Sequence, residues 1–172
     1  MSDILLIAIA VVVGLFLLTA LRGAPYVPSR SRDLGLAFDE LYKLDHRDML
    51  VDIGSGDGRV LLLAAEREAR AVGFEINPVL VLISKWRTRR FAGVNTKLAD
   101  FWLSKLPDDT TIVYTFGDGR DIERMARKVA DEAERLKKTI YFMSYGFQLK
   151  TIKPYKHNKM HFLYKFEALQ YN

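Results

Sequence analysis

Carboxylates and glycines crowd the one stretch of this sequence whose spacing could hold a small molecule. Val51-Asp52-Ile53-Gly54-Ser55-Gly56-Asp57-Gly58-Arg59-Val60 leads from a short apolar run into a segment of helical pattern. Glycines at alternate positions, Gly54, Gly56 and Gly58, let a backbone turn tightly and approach a ligand with no Cβ in the way. Further on, Glu75 closes a second apolar run, where a carboxylate in an open α/β sheet can accept from both hydroxyls of a ribose. A dinucleotide fingerprint counted from Gly54 would need glycine where Arg59 stands, and a phosphate loop would end in Gly-Lys-Ser/Thr; the sequence has neither. The chemistry indicated is recognition of a ribose-bearing ligand without those phosphate motifs.

Composition narrows the remaining chemistry. The 172 residues suffice for one ordinary domain plus a short appendage. There is no cysteine, so a disulfide framework, a thiolate metal site and a cysteine nucleophile are excluded. His46, His157 and His161 fall outside any zinc-ligand spacing, and no metal site is expected. Lys and Arg number 26 against 21 Asp and Glu, a net charge of +5, and every basic residue lies at or after Arg22. Such a surface favours anionic lipid or nucleic acid as a neighbour without choosing between them.

The elements that must position these residues follow from periodicity. Leu34, Ala37, Phe38, Leu41 and Leu44 recur at helical spacing and predict a short lead-in helix. Strands are predicted at Met49–Ile53, Ala71–Ile76, Asn95–Ala99, Thr111–Phe116 and Thr139–Ser144, with one or two more in the tail, the clearest at Met160–Leu169. Helices are predicted at Val60–Glu68, at Pro78–Arg90 (with Pro78 suited to a first turn) and at Ile122–Leu136. Strands alternating with helices argue for an α/β, doubly wound, mostly parallel sheet whose strand carboxyl ends share one edge.

Residues 4–21 carry no charge, and as a helix they would extend roughly 27 Å, close to the thickness of a bilayer core. A transmembrane anchor is expected, since a cleaved signal peptide would want a positive n-region and a better cleavage site than Thr19-Ala20-Leu21. Arg22, Arg30 and Arg32 follow the span while Asp3 precedes it, which places the catalytic domain on the cytoplasmic side of a single-pass protein. The expected organisation is an anchor over residues 1–22, a Pro-rich linker and lead-in helix over 23–45, and a ligand-binding domain over 46–172.

The Asp-x-Gly-x-Gly-x-Gly spacing with a later strand-end acid resembles motif I of the seven-strand, class I S-adenosylmethionine-dependent methyltransferases. The resemblance covers about Tyr26 to Ser144. It implies a Rossmann-like sheet of about seven strands with the last antiparallel, and S-adenosylmethionine as cofactor. It also implies roles. Asp52 helps place the methionine moiety; Gly54, Ser55, Gly56 and Gly58 pass beneath the ligand; Glu75 binds the ribose with Asn77 beside it. Asp100 in Leu98-Ala99-Asp100-Phe101-Trp102 meets the adenine amine, with Phe101 against the ring.

Pro25-Tyr26-Val27-Pro28-Ser29, between an apolar span and the domain, is similar to a segment of the small membrane-anchored protein-lysine methyltransferases that act on the ATP synthase rotor-ring c protein and on adenine nucleotide translocase. That narrower resemblance implies a fold-over segment, with Ser29 facing the cofactor and Tyr26 the acceptor. It implies a membrane-protein substrate; Tyr26 and Phe116 are candidates for the acceptor pocket, and Asp118 is a candidate there as a proton acceptor or ammonium guide. Asp118-Gly119-Arg120 and Ser144-Tyr145-Gly146-Phe147 depart from the subfamily where substrate binds. A lipid or other small membrane-associated acceptor, or a non-catalytic cofactor-bound scaffold, therefore stays open beside lysine methylation. No nucleic-acid acceptor is expected, because no Asn/Asp-Pro-Pro-aromatic signature follows the fourth strand.

Overall fold

The computed structural model describes residues 3–7, 9–11, 13–14, 31–117 and 119–168. Its centre is a seven-stranded sheet. In chain order the elements are α1 (Ser31–Leu36), which continues as a wider turn over Ala37–Leu41, β1 (Met49–Ile53), α2 (Arg59–Ala65), β2 (Arg70–Glu75) and α3 (Pro78–Thr88). Then come β3 (Val94–Leu98), a 3-10 turn (Phe101–Leu103), β4 (Ile112–Thr115), α4 (Ile122–Leu136), β5 (Ile140–Tyr145), β6 (Lys156–His157) and β7 (His161–Phe166). The strand order is β3-β2-β1-β4-β5-β7-β6. Strands β1 to β5 are mutually parallel, and β7 runs antiparallel to both β5 and β6. The expected α/β sheet with an antiparallel last strand is what the chain forms.

Strand alternation divides the core between two faces. On one face Met49, Val51 and Ile53 pack with Val113, Phe142 and the inward side of α4, namely Ile122, Ala126, Val129 and Ala133. On the other, Leu50, Ile112, Tyr114 and Met143 meet Leu34, Phe38 and Leu41 of the lead-in segment and Val60, Leu61 and Ala64 of α2. The same alternation sends Asp52 to the face of Leu50, opposite Gly73 on β2 and Tyr114 on β4.

Several boundaries differ from the periodic pattern, each for a local reason. The lead-in helix ends at Leu41 in a π turn, with Tyr42 N–H donating to the Ala37 carbonyl, although Leu44 is still buried. Asp48 stops it, since its carboxylate accepts from the Asp45 amide at 3.0 Å, Tyr42 Oη at 2.7 Å and Thr111 Oγ1 at 2.8 Å and turns the chain into β1. Helix α2 ends at Ala65 rather than Glu68. Glu68 takes a left-handed φ of 61°, and the Ala69 amide reaches back to the Ala64 carbonyl so that Arg70 can pair with Met49.

Residues 3–7, 9–11 and 13–14 are helical, and most of their side chains are exposed. Among the described residues no helix is long and apolar enough to cross a membrane. Residues 15–21 of the expected anchor, and Tyr26 and Ser29 of the linker, lie outside the described residues, as does Asp118.

Candidate cofactor site at the carboxyl edge of the sheet

The glycine loop leaves β1 at the carboxyl edge and is strapped to β2. The amides of Gly54 and Ser55 both donate to the Phe74 carbonyl, at 2.9 and 3.1 Å, and the Gly58 amide closes a turn on the Ser55 carbonyl at 2.9 Å. Gly54, Gly56 and Gly58 have φ of 69°, 52° and 83°, a region that side chains rarely adopt. Two glycines serve different ends. A Cβ at Gly54 would meet nothing within 4 Å, so that part of the loop borders open space. A Cβ at Gly58 would stand 2.3 Å from Ser84 Oγ, so that position allows α2 to begin against α3.

Glu75 is the hub. It is buried, its Oε2 accepts from the Gly56 amide at 2.9 Å, and its Oε1 accepts from the Asn77 amide at 2.7 Å. One side chain thus fixes the middle of the glycine loop and the approach to α3. Asn77 is the N-cap of α3, its Oδ1 accepting from Val79 N at 2.9 Å. The sequence pointed to Glu75 as a ribose acceptor; the structure adds a positioning role through backbone bonds.

Asp52 has a different character. It is 2% exposed, and its Oδ2 has no hydrogen-bond partner among the described residues. Ser55 Oγ beside the loop is equally buried and unpartnered. Loss of water first, then the charges of Glu75 and Asp57, push the Asp52 carboxyl well above the ordinary aspartate range. A buried acid with an idle oxygen calls for a cationic or donor ligand.

Asp57, absent from the expected site, is nearly buried and bridges Arg59 at 3.3 Å and Arg87 of α3. The clue in the sequence is the Asp-x-Arg pair inside the motif, of which only Arg59 entered the reading, to exclude a dinucleotide fingerprint. Gly73 was missed too. A Cβ there would lie 2.3 Å from Ser55 Oγ and 2.5 Å from Ser55 Cβ, so β2 carries glycine where the loop presses on it. Glycine inside an apolar strand run is the signal that could have found it. Gly73→Ala is expected to cost about 1–3 kcal/mol by overpacking. It should lower the melting temperature by several degrees, while Gly35→Ala in α1, with only Arg67 at 3.6 Å, leaves it unchanged or higher. Thermal melts of both variants check this.

Asp100 stands exposed beyond β3 and caps the 3-10 turn, its Oδ1 accepting from Trp102 N at 2.8 Å. The Phe101 ring is 5% exposed and packs against Phe74 and Trp102 with centroids 6.5 and 5.3 Å apart. At the ends of β4 and β5, Phe116 and Tyr145 stack at 4.7 Å with planes 21° apart. His161 meets the edge of Tyr145 at 4.9 Å, wholly buried, and its ring nitrogens have no hydrogen-bond partner among the described residues. Burial pushes its imidazole down to about 4, leaving it neutral at pH 7. Among the described residues no group of three His, Asp or Glu could hold a metal ion.

Known proteins are similar to this chain in sequence and in fold. The chain is 37% identical over 136 residues to a rat lysine N-methyltransferase named for the c-type subunit of ATP synthase, covering 75% of this chain and 61% of the relative. It is 41% identical over 63 residues to a mouse adenine nucleotide translocase lysine N-methyltransferase, covering 34% of this chain and 28% of that one. The chain spans about half to three fifths of the length of the rat, mouse and human ATP synthase methyltransferases that it matches. In fold it is similar to an RNA methyltransferase from Salinibacter ruber crystallised with S-adenosyl-L-homocysteine, with a TM-score of 0.75 at 21% identity over 84% of this chain and 96% of that one. A model of the ANTKMT methyltransferase domain matches residues 52–156, from Asp52 of the glycine loop into β6, and the chain belongs to that family.

Proposed function

We propose that this protein is an S-adenosylmethionine-dependent protein-lysine N-methyltransferase that acts on a membrane-associated protein. The observation that carries the cofactor is the idle, buried Oδ2 of Asp52 beside a loop of left-handed glycines. S-adenosylmethionine has a cationic amino group and a sulfonium, either of which would compensate a buried carboxylate. The proposed holders are Asp52 for the methionine amino group and Gly54, Ser55, Gly56 and Gly58 beneath the ligand. Glu75, with Asn77, takes the ribose, and Asp100 takes the adenine amine with Phe101 near the ring; Ser29 completes the set. Glu75 can serve, because a carboxylate offers about four lone-pair sites and its backbone bonds take two.

The bound cofactor supplies an activated methyl group; the protein supplies alignment and a dry site. An acceptor lysine must lose a proton before its nitrogen has a lone pair to offer. An aromatic slot disfavours the charged ammonium and so lowers its pKa. The Phe116–Tyr145 stack at the strand ends is suited to form such a slot, with Tyr26 as its further member and Asp118 as a proton acceptor or guide for the ammonium. The names of the relatives support lysine in a membrane protein as the acceptor.

The tether belongs to the same reading. Residues 4–21 anchor the chain in a bilayer with the domain on the cytoplasmic side, and the linker confines the site near the surface. Confinement raises its effective concentration toward membrane-bound acceptors. Labelled S-adenosylmethionine, full-length protein and native membranes should yield methyl-lysine in an integral membrane protein. Deleting Met1–Leu21 should leave cofactor affinity intact and sharply reduce that label. Label confined to lipid would replace the protein acceptor with a lipid one, and equal labelling by the truncated form would make the tether irrelevant.

A further inference from the structure

Helix α3 is apolar on two sides, yet among the described residues only one is covered. Leu80, Val81, Ser84 and Thr88 are buried inward, with Ser84 Oγ bonded to Thr96 Oγ1 of β3 at 2.6 Å. On the outward side Leu82 is 68% exposed and Trp86 65%, one turn apart, with Ile83 between them. Helices hydrophobic all round are normally buried all round. Helix α4 shows what an ordinary solvent face looks like in this protein. Its exposed positions are Arg124, Arg127, Asp131, Glu134 and Arg135, all charged.

Charge sharpens the contrast. From Ile76 to Ala99 there is no acid, while Lys85, Arg87, Arg89, Arg90 and Lys97 supply five positive charges, equal to the net charge of the whole chain. Arg87 is engaged with Asp57, but Lys85, Arg89 and Arg90 are exposed, and the Arg89 guanidinium lies 4.5 Å above the Trp86 ring. The neighbouring β3 is an edge strand, and its exposed residues include Lys97 and Leu98. An exposed tryptophan and leucine on a helix face, in a stretch of chain whose charges are all cations, is the composition of a segment lying in a lipid headgroup layer.

We propose that the outward face of α3 docks on an anionic lipid surface, with Leu82 and Trp86 inserted and Lys85, Arg89 and Arg90 at the phosphates. The consequence is orientation. Helix α3 is capped by Asn77, whose amide Glu75 holds, so laying its axis along the bilayer brings the near end of the sheet's carboxyl edge to headgroup level. A tether alone would fix the distance of the site from the membrane and leave its direction free. This surface is independent of the acceptor's identity and of the residues that bind cofactor.

The test uses the full chain with Trp102→Phe, which leaves Trp86 as the one tryptophan of the two in the sequence. Vesicles of phosphatidylcholine with about 30% phosphatidylserine carry brominated acyl chains, which quench only tryptophan at lipid depth. Trp86 emission is expected to fall by roughly half or more, and raised salt or the triple variant Lys85→Gln, Arg89→Gln, Arg90→Gln should restore most of it. Leu82→Ser should reduce the quenching without altering its salt dependence. Protein that sediments with the vesicles while Trp86 stays unquenched overturns the proposal, since another segment then does the binding. Shielding of Trp86 only in membranes that retain their proteins overturns it as well, and assigns this face to a protein partner.

Discussion

Glu75→Ala should weaken S-adenosylmethionine binding by roughly tenfold or more and destabilise the ligand-free protein at the same time. The two effects come from one side chain with two kinds of partner. Both carboxylate oxygens accept from backbone amides, of Gly56 and Asn77, in buried surroundings. Deleting the acid orphans two buried donors at about 1–3 kcal/mol each and unties the loop from the start of α3. If the acid also bonds the ribose, its charge-assisted bonds vanish with it. Glu75→Gln separates the contributions. It keeps an acceptor for one amide but turns an NH2 toward the other, so much of the loss should persist with little change of shape. Calorimetry with S-adenosylmethionine, alongside thermal melts, measures both. A Glu75→Ala protein that melts lower but binds with unchanged affinity would remove the ribose assignment and leave only the positioning role.

Asp52→Asn should move stability and binding in opposite directions. Burial and the neighbouring Glu75 and Asp57 raise the folded-state pKa of Asp52. A carboxyl with a raised folded pKa holds more protons folded than unfolded above the ordinary aspartate range. Stability is therefore greatest at low pH and is lost as pH rises through the folded pKa. Replacing the acid with its neutral isostere removes that loss. The ligand-free melting temperature should rise by several degrees at neutral pH, with the gain shrinking toward about pH 4, near the unfolded pKa. Cofactor affinity should fall by roughly tenfold or more, because the amide has no charge to offer a cationic group. Thermal melts across that pH range, paired with calorimetry, decide it. A pH-independent effect on stability would mean that Asp52 has the same pKa folded and unfolded, and unchanged affinity would place the cationic end of the ligand elsewhere.

What the sequence determined by itself was whatever depends on periodicity and backbone conformation. Alternating apolar runs and helical spacings defined the α/β sheet, because a buried strand and an amphipathic helix each impose a period on their residues. The glycine spacing located the loop, since left-handed φ at Gly54, Gly56 and Gly58 admits few other residues. Asp52 and Glu75 were legible because strand-end acids flank such a loop. The tertiary structure decided what those residues do with one another. Asp52 looks like any strand aspartate until β2 and β4 close over it and leave one oxygen without a partner. Glu75 looked like a ligand acid, and the fold made it the brace between Gly56 and Asn77. The Phe116–Tyr145 stack joins residues from different strands, which only the parallel pairing of β4 with β5 brings side by side. The apolar residues of α3 all fall within one predicted helix, Pro78–Arg90. Which of them stay in solvent depends on what packs against that helix, and that is a property of the assembled fold.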